Sequence, residues 1–152
     1  VVASDATSLA VSNNTIYNSS IGIHFQRLAL SSISGNSINN CQWGIDGVNS
    51  TYLAVRNNKI RDMKRDGIQL KNSTLSSISG NSINDCGEPA ISLYDSSYAT
   101  VENSDNTLVD SEWGVLSRNA TSLAISYNTI RDMSEDGIQL QSSNSSSISG
   151  NS

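Results

Sequence analysis

Charge, aromatic rings and proline are scarce in this chain. Charged residues make up 15% of its 152 residues, too little for a disordered polar tail. Large apolar side chains are too few for an ordinary compact core. No Lys/Arg cluster exists to neutralise phosphates, and the net charge of −5 argues against nucleic acid as a partner. No apolar run reaches the roughly 18 residues of a membrane-spanning helix, so no membrane span is expected in this segment. The two cysteines, Cys41 and Cys86, match no metal-binding spacing. Ser, Asn, Thr and Gly fill the gap, a composition suited to many short strands and turns.

The chain repeats itself. Val11-Ser-Asn-Asn-Thr-Ile16, Ile33-Ser-Gly-Asn-Ser-Ile38, Val55-Arg-Asn-Asn-Lys-Ile60, Ile78-Ser-Gly-Asn-Ser-Ile83 and Ile125-Ser-Tyr-Asn-Thr-Ile130 are copies of one motif. Val101 to Leu108 is a copy with two extra residues, and Ile148 begins another. The aligned asparagines are Asn14, Asn36, Asn58, Asn81, Asn106, Asn128 and Asn151, spaced 22 to 25 residues apart. A second motif falls between them: Gly22-Ile23, Gly44-Ile45, Gly67-Ile68, Ala90-Ile91, Gly114-Val115 and Gly137-Ile138. Brief period-2 runs broken by Gly, Asn or Asp read as strands and turns, and no unit carries a helical stripe. This predicts an all-β fold: a right-handed parallel β-helix of six to seven coils, as one domain over residues 1–152, with three parallel sheets. A three-coil block is duplicated, since Trp43-Gly-Ile45, Arg61-Asp-Met63 and Gly67-Ile-Gln-Leu70 recur 70 residues later. The chain begins and ends inside the pattern, so we read it as an uncapped fragment of a longer protein that self-associates end to end or laterally.

Coils stacked about 4.8 Å apart place equivalent residues in columns. The column through Val11, Ile33 and Val55, that through Ile16, Ile38 and Ile60, and that through Ile23, Ile45 and Ile68 should fill the interior. Each such side chain contributes about 1.5–3 kcal/mol on burial. The asparagine column should form an amide ladder. Cys41 and Cys86 fall two coils apart in a column with Met63 and Met133, too far for a disulfide, and are expected as buried free thiols.

Repeats of the form Gly-Ile-x-Leu followed by Ile-Ser-x-Asn-x-Ile resemble the parallel β-helix repeats of carbohydrate-binding and sugar-hydrolase proteins. That group includes pectate-lyase-like enzymes, alginate epimerases and NosD-like periplasmic proteins. The resemblance implies the fold and an extracellular or cell-surface setting. No catalytic signature carries over with it. The single histidine, His24, lacks flanking glycines, and the single proline, Pro89, lies in Glu88-Pro-Ala90 rather than an Asp-Pro-His motif.

Four constellations could carry chemistry. Asp62, Asp85, Asp110 and Asp132 continue a column begun by Asn18 and Asn40; stacked carboxylates repel, which recruits a cation, and calcium is the candidate cofactor. The same residues are equally suited to capping turns. Trp43, Asp66, Trp113 and Asp136 precede the column glycines and are expected to face outward. There an indole can stack on a sugar while the acid takes its hydroxyls, or cover a turn or a subunit contact. His24 and Asp46 share an outward column on adjacent coils, as a general base with its carboxylate partner or as an exposed ion pair. Asn-x-Ser/Thr acceptors begin at Asn13, Asn18, Asn49, Asn72, Asn119 and Asn144. The leading functional expectation is a structural extracellular solenoid, a stalk, filament or surface-layer component, in contact with polysaccharide. The alternative is a polysaccharide-active enzyme: a lyase, glycoside hydrolase or epimerase.

Overall fold

A computed structural model describes residues 1–102 and 106–152. The two-residue insertion expected between Val101 and Leu108 lies outside the described residues. Every described element is a β-strand, and the strands form three sheets of seven, seven and six members in which each strand pairs with its counterpart one coil away. The first sheet holds Val2–Ser4, Ile21–Gln26, Trp43–Val48, Ile68–Lys71, Ile91–Tyr94, Val115–Arg118 and Ile138–Gln141. The second is built from triplets such as Ser32–Ser34 and Ala54–Arg56, the third from segments such as Ser37–Asn39 and Lys59–Met63. All pairings are parallel, and register follows the aligned repeats: Ile23 meets Ile45, Ile45 meets Ile68, and Ile68 meets Ile91.

The corners explain how so little sequence turns so often. Each complete coil bends at residues of positive φ, and these fall into four columns. In the third coil they are Asn49, Tyr52, Asn57 and Asp62, with φ between 52° and 59°. Asparagine, aspartate and glycine tolerate this left-handed region best, and they supply most of three columns. The remaining column contains Leu30, Tyr52, Leu75 and Tyr98.

Between corners, β-branched residues point inward. Ile33, Ile38 and Ile45 are fully buried, as are Val55, Ile60 and Ile68 a coil later. Cys41 and Cys86 are buried and unpaired, beside Met63 in the same corner. Burial pushes the Cys86 thiol up to about 12, so it stays protonated at neutral pH.

The ladder is complete. The Nδ2 of each asparagine from Asn14 to Asn128 donates to Oδ1 of the next, at 2.8–3.0 Å. Nδ2 of Asn36 also reaches back to the Val11 carbonyl, and that of Asn58 to the Ile33 carbonyl. Each Oδ1 from Asn58 to Asn81 accepts a second bond, from the backbone N–H of the preceding asparagine. Serine hydroxyls support a neighbouring corner in the same way: Ser50 Oγ accepts from Leu28 N–H and Ser73 Oγ from Ser50 N–H.

Candidate functional site

The outer face of the first sheet carries the molecule's chemically varied side chains. Along its strands Ile and Leu alternate inward, which sets His24, Asp46, Gln69, Ser92 and Leu116 in one column on the opposite side of the sheet, where Gln69, Ser92 and Leu116 are buried by their surroundings. His24 Nδ1 and Asp46 Oδ2 lie 2.8 Å apart, the pair expected from their register.

Asp66 corrects the sequence reading. It was expected to stand exposed beside Trp43, but it is buried, 1% exposed. The cause is an extra residue. Five steps separate Met63 from Ile68 where four separate Cys41 from Ile45. Arg65 N–H bonds to the Gln42 carbonyl and Gly44 N–H to the Asp66 carbonyl, so Arg65 and Asp66 together oppose Trp43. Such a two-against-one bulge re-aims a side chain. Asp66 Oδ2 accepts from Gln69 Nε2 at 3.0 Å, and Oδ1 bonds Ser92 Oγ at 2.6 Å. Desolvation dominates its titration, with Glu88 nearby adding to it, and raises the carboxyl to about 6.

This fixes a pH dependence. The unfolded carboxyl titrates near its ordinary 3.8 and the folded one near 6. Below the lower value both states are protonated and Asp66 costs nothing. As pH rises through the folded value the contribution is lost, about 3 kcal/mol in all. Asp66→Asn cannot ionise. Its melting temperature is expected to match wild type near pH 4 and to exceed it above pH 6.5. Equal pH profiles would remove the buried charge from consideration.

Asp136 repeats the pairing, since Gln139 Nε2 donates to Asp136 Oδ2 at 3.0 Å, but this pair is exposed. Trp43 and Trp113 are both half-buried. They differ in cover. The Arg65 guanidinium lies over the Trp43 ring, 5.0 Å from its centroid, and is itself held by Glu88 Oε1 at 3.0 Å. Seventy residues on, the position of Arg65 is taken by Glu135. A third ring, Tyr94, escaped sequence reading. It sits on the same face between Lys71 and Arg118, each 5.9 Å from its centroid. The signal was present in the column Lys71, Tyr94, Arg118, which only the register makes visible.

Asp62, Asp85, Asp110 and Asp132 do form one column, all exposed and all at positive φ between 48° and 61°. Among the described residues no three His, Cys, Asp or Glu side chains converge on a common point. Asp132 is held by Arg131 at 2.7 Å, and Asn40 bonds Asn18 in the same column. The concavities of the surface are shallow. One of about 470 Å³ is lined by Asn18, Ser20, Asn40, Gln42 and Lys64, away from the aromatic rings. Among the described residues no helix is long and apolar enough to cross a membrane.

A family model described as the right handed beta helix region matches residues 1–116. The chain belongs to the right-handed β-helix family. None of the curated proteins matches this β-helix. Among solved structures it is similar to the enzymatically active domain of tailspike protein 2 of bacteriophage CBA120, at 11% identity and a TM-score of 0.58, covering 86% of this chain and 24% of the tailspike. It is also matched to the A-module of a mannuronan C-5 epimerase from Azotobacter vinelandii, at 13% identity and a TM-score of 0.40, covering 99% of this chain and 57% of the module. The β-helix thus spans about a quarter of the tailspike's length, and at these identities the likeness is one of fold.

Proposed function

We propose that this β-helix is a rigid solenoid of an extracellular or surface protein, and that the outer face of its first sheet contacts carbohydrate. The observation that carries the reading is the Trp43 ring. It is half-buried and oriented by Arg65, which lies over one face of the ring and is held in turn by Glu88. A ring fixed in plane loses little freedom when a sugar stacks on it. Tyr94 and Trp113 extend the aromatic surface along the same sheet, and Lys71 and Arg118 offer hydrogen-bond donors beside Tyr94. Asp66 does not reach the ligand; it holds Gln69 and Ser92 beneath that surface.

Affinity electrophoresis in gels cast with a polyuronate or with a neutral glucan tests this. Trp43→Ala is expected to weaken retardation at least tenfold in one of the two gels, and ligand should perturb tryptophan fluorescence. Binding unchanged in Trp43→Ala and Trp113→Ala would end the proposal. A catalytic reading has one support, since a carboxyl titrating near 6 suits acid–base work. Its carboxylate is covered and its oxygens are both bonded, so substrate would have to displace Gln69 or Ser92. Release of sugar ends that Asp66→Asn abolishes would favour catalysis over binding.

A further inference from the structure

Of the four corner columns, one breaks the chemistry of the others. Backbone bonds from Leu30 N–H to Thr51 C=O, Tyr52 N–H to Thr74 C=O and Leu75 N–H to Ser97 C=O align Leu30, Tyr52, Leu75 and Tyr98 on successive coils. All four have φ between 51° and 58°, and all are exposed, by 43 to 61%. Bulky residues in the left-handed region are uncommon, and each is less stable there than glycine or asparagine. Ser8, Ser122 and Ser145 hold the same corner on the other coils, so the turn does not require the bulky run of four. That run forms a ridge about 14 Å long, with one large apolar group per coil.

Its surroundings are prepared for close approach. The segments 28–33, 50–55, 73–78 and 96–101 contain no charged residue. The residue before each ridge position is Ala29, Thr51, Thr74 or Ser97. The outward column on the second sheet beyond it is Ser32, Ala54, Ser77 and Thr100. The large side chains thus stand between rows of small ones, as knobs between holes.

The order of the ridge says what covers it. Read in one direction it is Leu, Tyr, Leu, Tyr; read in the other it is Tyr, Leu, Tyr, Leu. A second copy lying face to face and antiparallel sets Leu30 against Tyr98 of that copy and Tyr52 against Leu75, so that each small knob meets a large one at all four coils. Equal coil spacing keeps the match without adjustment. The flanking corner column obeys the same two-fold relation. It runs Asp5, Arg27, Asn49, Asn72, Asp95; Asp5 of the same chain holds Arg27, and an antiparallel copy places the Arg27 guanidinium opposite Asp95 and Asn49 opposite Asn72. Size and charge are both self-complementary, the mark of an isologous interface. A parallel copy would set Leu on Leu and Tyr on Tyr.

We propose that this ridge is a side-by-side dimer contact between two antiparallel copies of this chain. The contact is small, and a weak, reversible dimer is expected.

Sedimentation equilibrium of the chain tests the contact. The variant with Leu30→Asn, Tyr52→Asn, Leu75→Asn and Tyr98→Asn is expected to raise the dissociation constant at least tenfold. Its melting temperature in dilute solution should hold or rise, because asparagine suits the left-handed corner. A parent that stays monomeric at near-millimolar concentration, or association that survives the four substitutions, overturns the proposal. Orientation is read with a bismaleimide shorter than the ridge, the native thiols Cys41 and Cys86 being buried. Leu30→Cys together with Tyr98→Cys should yield covalent dimers and Leu30→Cys alone should not. Dimers from the single variant would overturn the antiparallel arrangement.

Discussion

Asn58→Ala is expected to destabilise the solenoid by roughly 3–5 kcal/mol without changing its strand content. The side chain is at the centre of four bonds. Its Oδ1 accepts from the backbone N–H and the Nδ2 of Asn36, and its Nδ2 donates to the Ile33 carbonyl and to Asn81 Oδ1. Alanine orphans two buried N–H groups on Asn36 alone, and each unsatisfied group costs about 1–3 kcal/mol. Asn58 is 1% exposed, so water does not substitute. Asn14→Ala provides the contrast. Asn14 Nδ2 donates to Asn36 Oδ1 and to the exposed Ser12 carbonyl, at a partly open position, and Asn36 Oδ1 keeps its bond from the Asn14 backbone. Its loss should stay under about 1 kcal/mol. Urea titrations of both variants decide the matter; equal losses would mean that the ladder is not a buried network.

The second large effect concerns Phe25 and Gly47, neighbours in the column that runs Ala3, Phe25, Gly47, Leu70, Leu93, Ser117, Leu140. Phe25 is fully buried, and its ring reaches across into the coil of Gly47. A Cβ at Gly47 would meet the Phe25 ring edge and lie 2.8 Å from Leu70 Cδ2. The oversized ring and the missing side chain are one packing solution. Phe25→Ala should therefore cost about 3–5 kcal/mol through the cavity it opens. Gly47→Leu should cost roughly 1–3 kcal/mol or more through overpacking. The combination Phe25→Leu with Gly47→Leu restores the regular column, and its loss should fall well below the sum of the two single changes. Strict additivity in thermal melts would show that the two positions do not share a volume.

Much of the fold was legible in the sequence because stacking repeats each demand once per coil. Ile33, Ile38 and Ile45 could be assigned to the interior from their recurrence alone, and the asparagine ladder followed from one-per-coil spacing. Cys41 and Cys86 were legible as buried thiols because Met63 and Met133 share their column. What escaped reading depends on register between unequal coils. The extra residue before Ile68 was countable, but the count does not say whether Arg65 or Asp66 takes the place opposite Trp43. Nor does it say that Ser92, 26 residues away, completes the carboxylate's cover. The ridge escaped for another reason. Local rules assign left-handed corners to Gly, Asn and Asp, and Leu30 and Tyr52 run against those rules. The carboxylate column was read correctly as a stack. Its side chains do not converge, because a corner residue at positive φ projects from the turn separately on each coil.

The ladder has one more property, which follows from the sense of its bonds. Within the ladder every amide from Asn14 to Asn128 donates to the Oδ1 of the coil of higher number and none to the Oδ1 of the coil before, while the backward bonds of Asn36 and Asn58 go to backbone carbonyls. Seven side-chain dipoles therefore point the same way, and each polarises the next. The column is a vector along the solenoid axis. One face of the stack offers the Asn14 oxygen and the other the Asn151 amide. A coil added at either face must continue that sense, donor to acceptor. Two like faces brought together would set oxygen against oxygen or amide against amide. The two directions along the solenoid axis are thus chemically distinct.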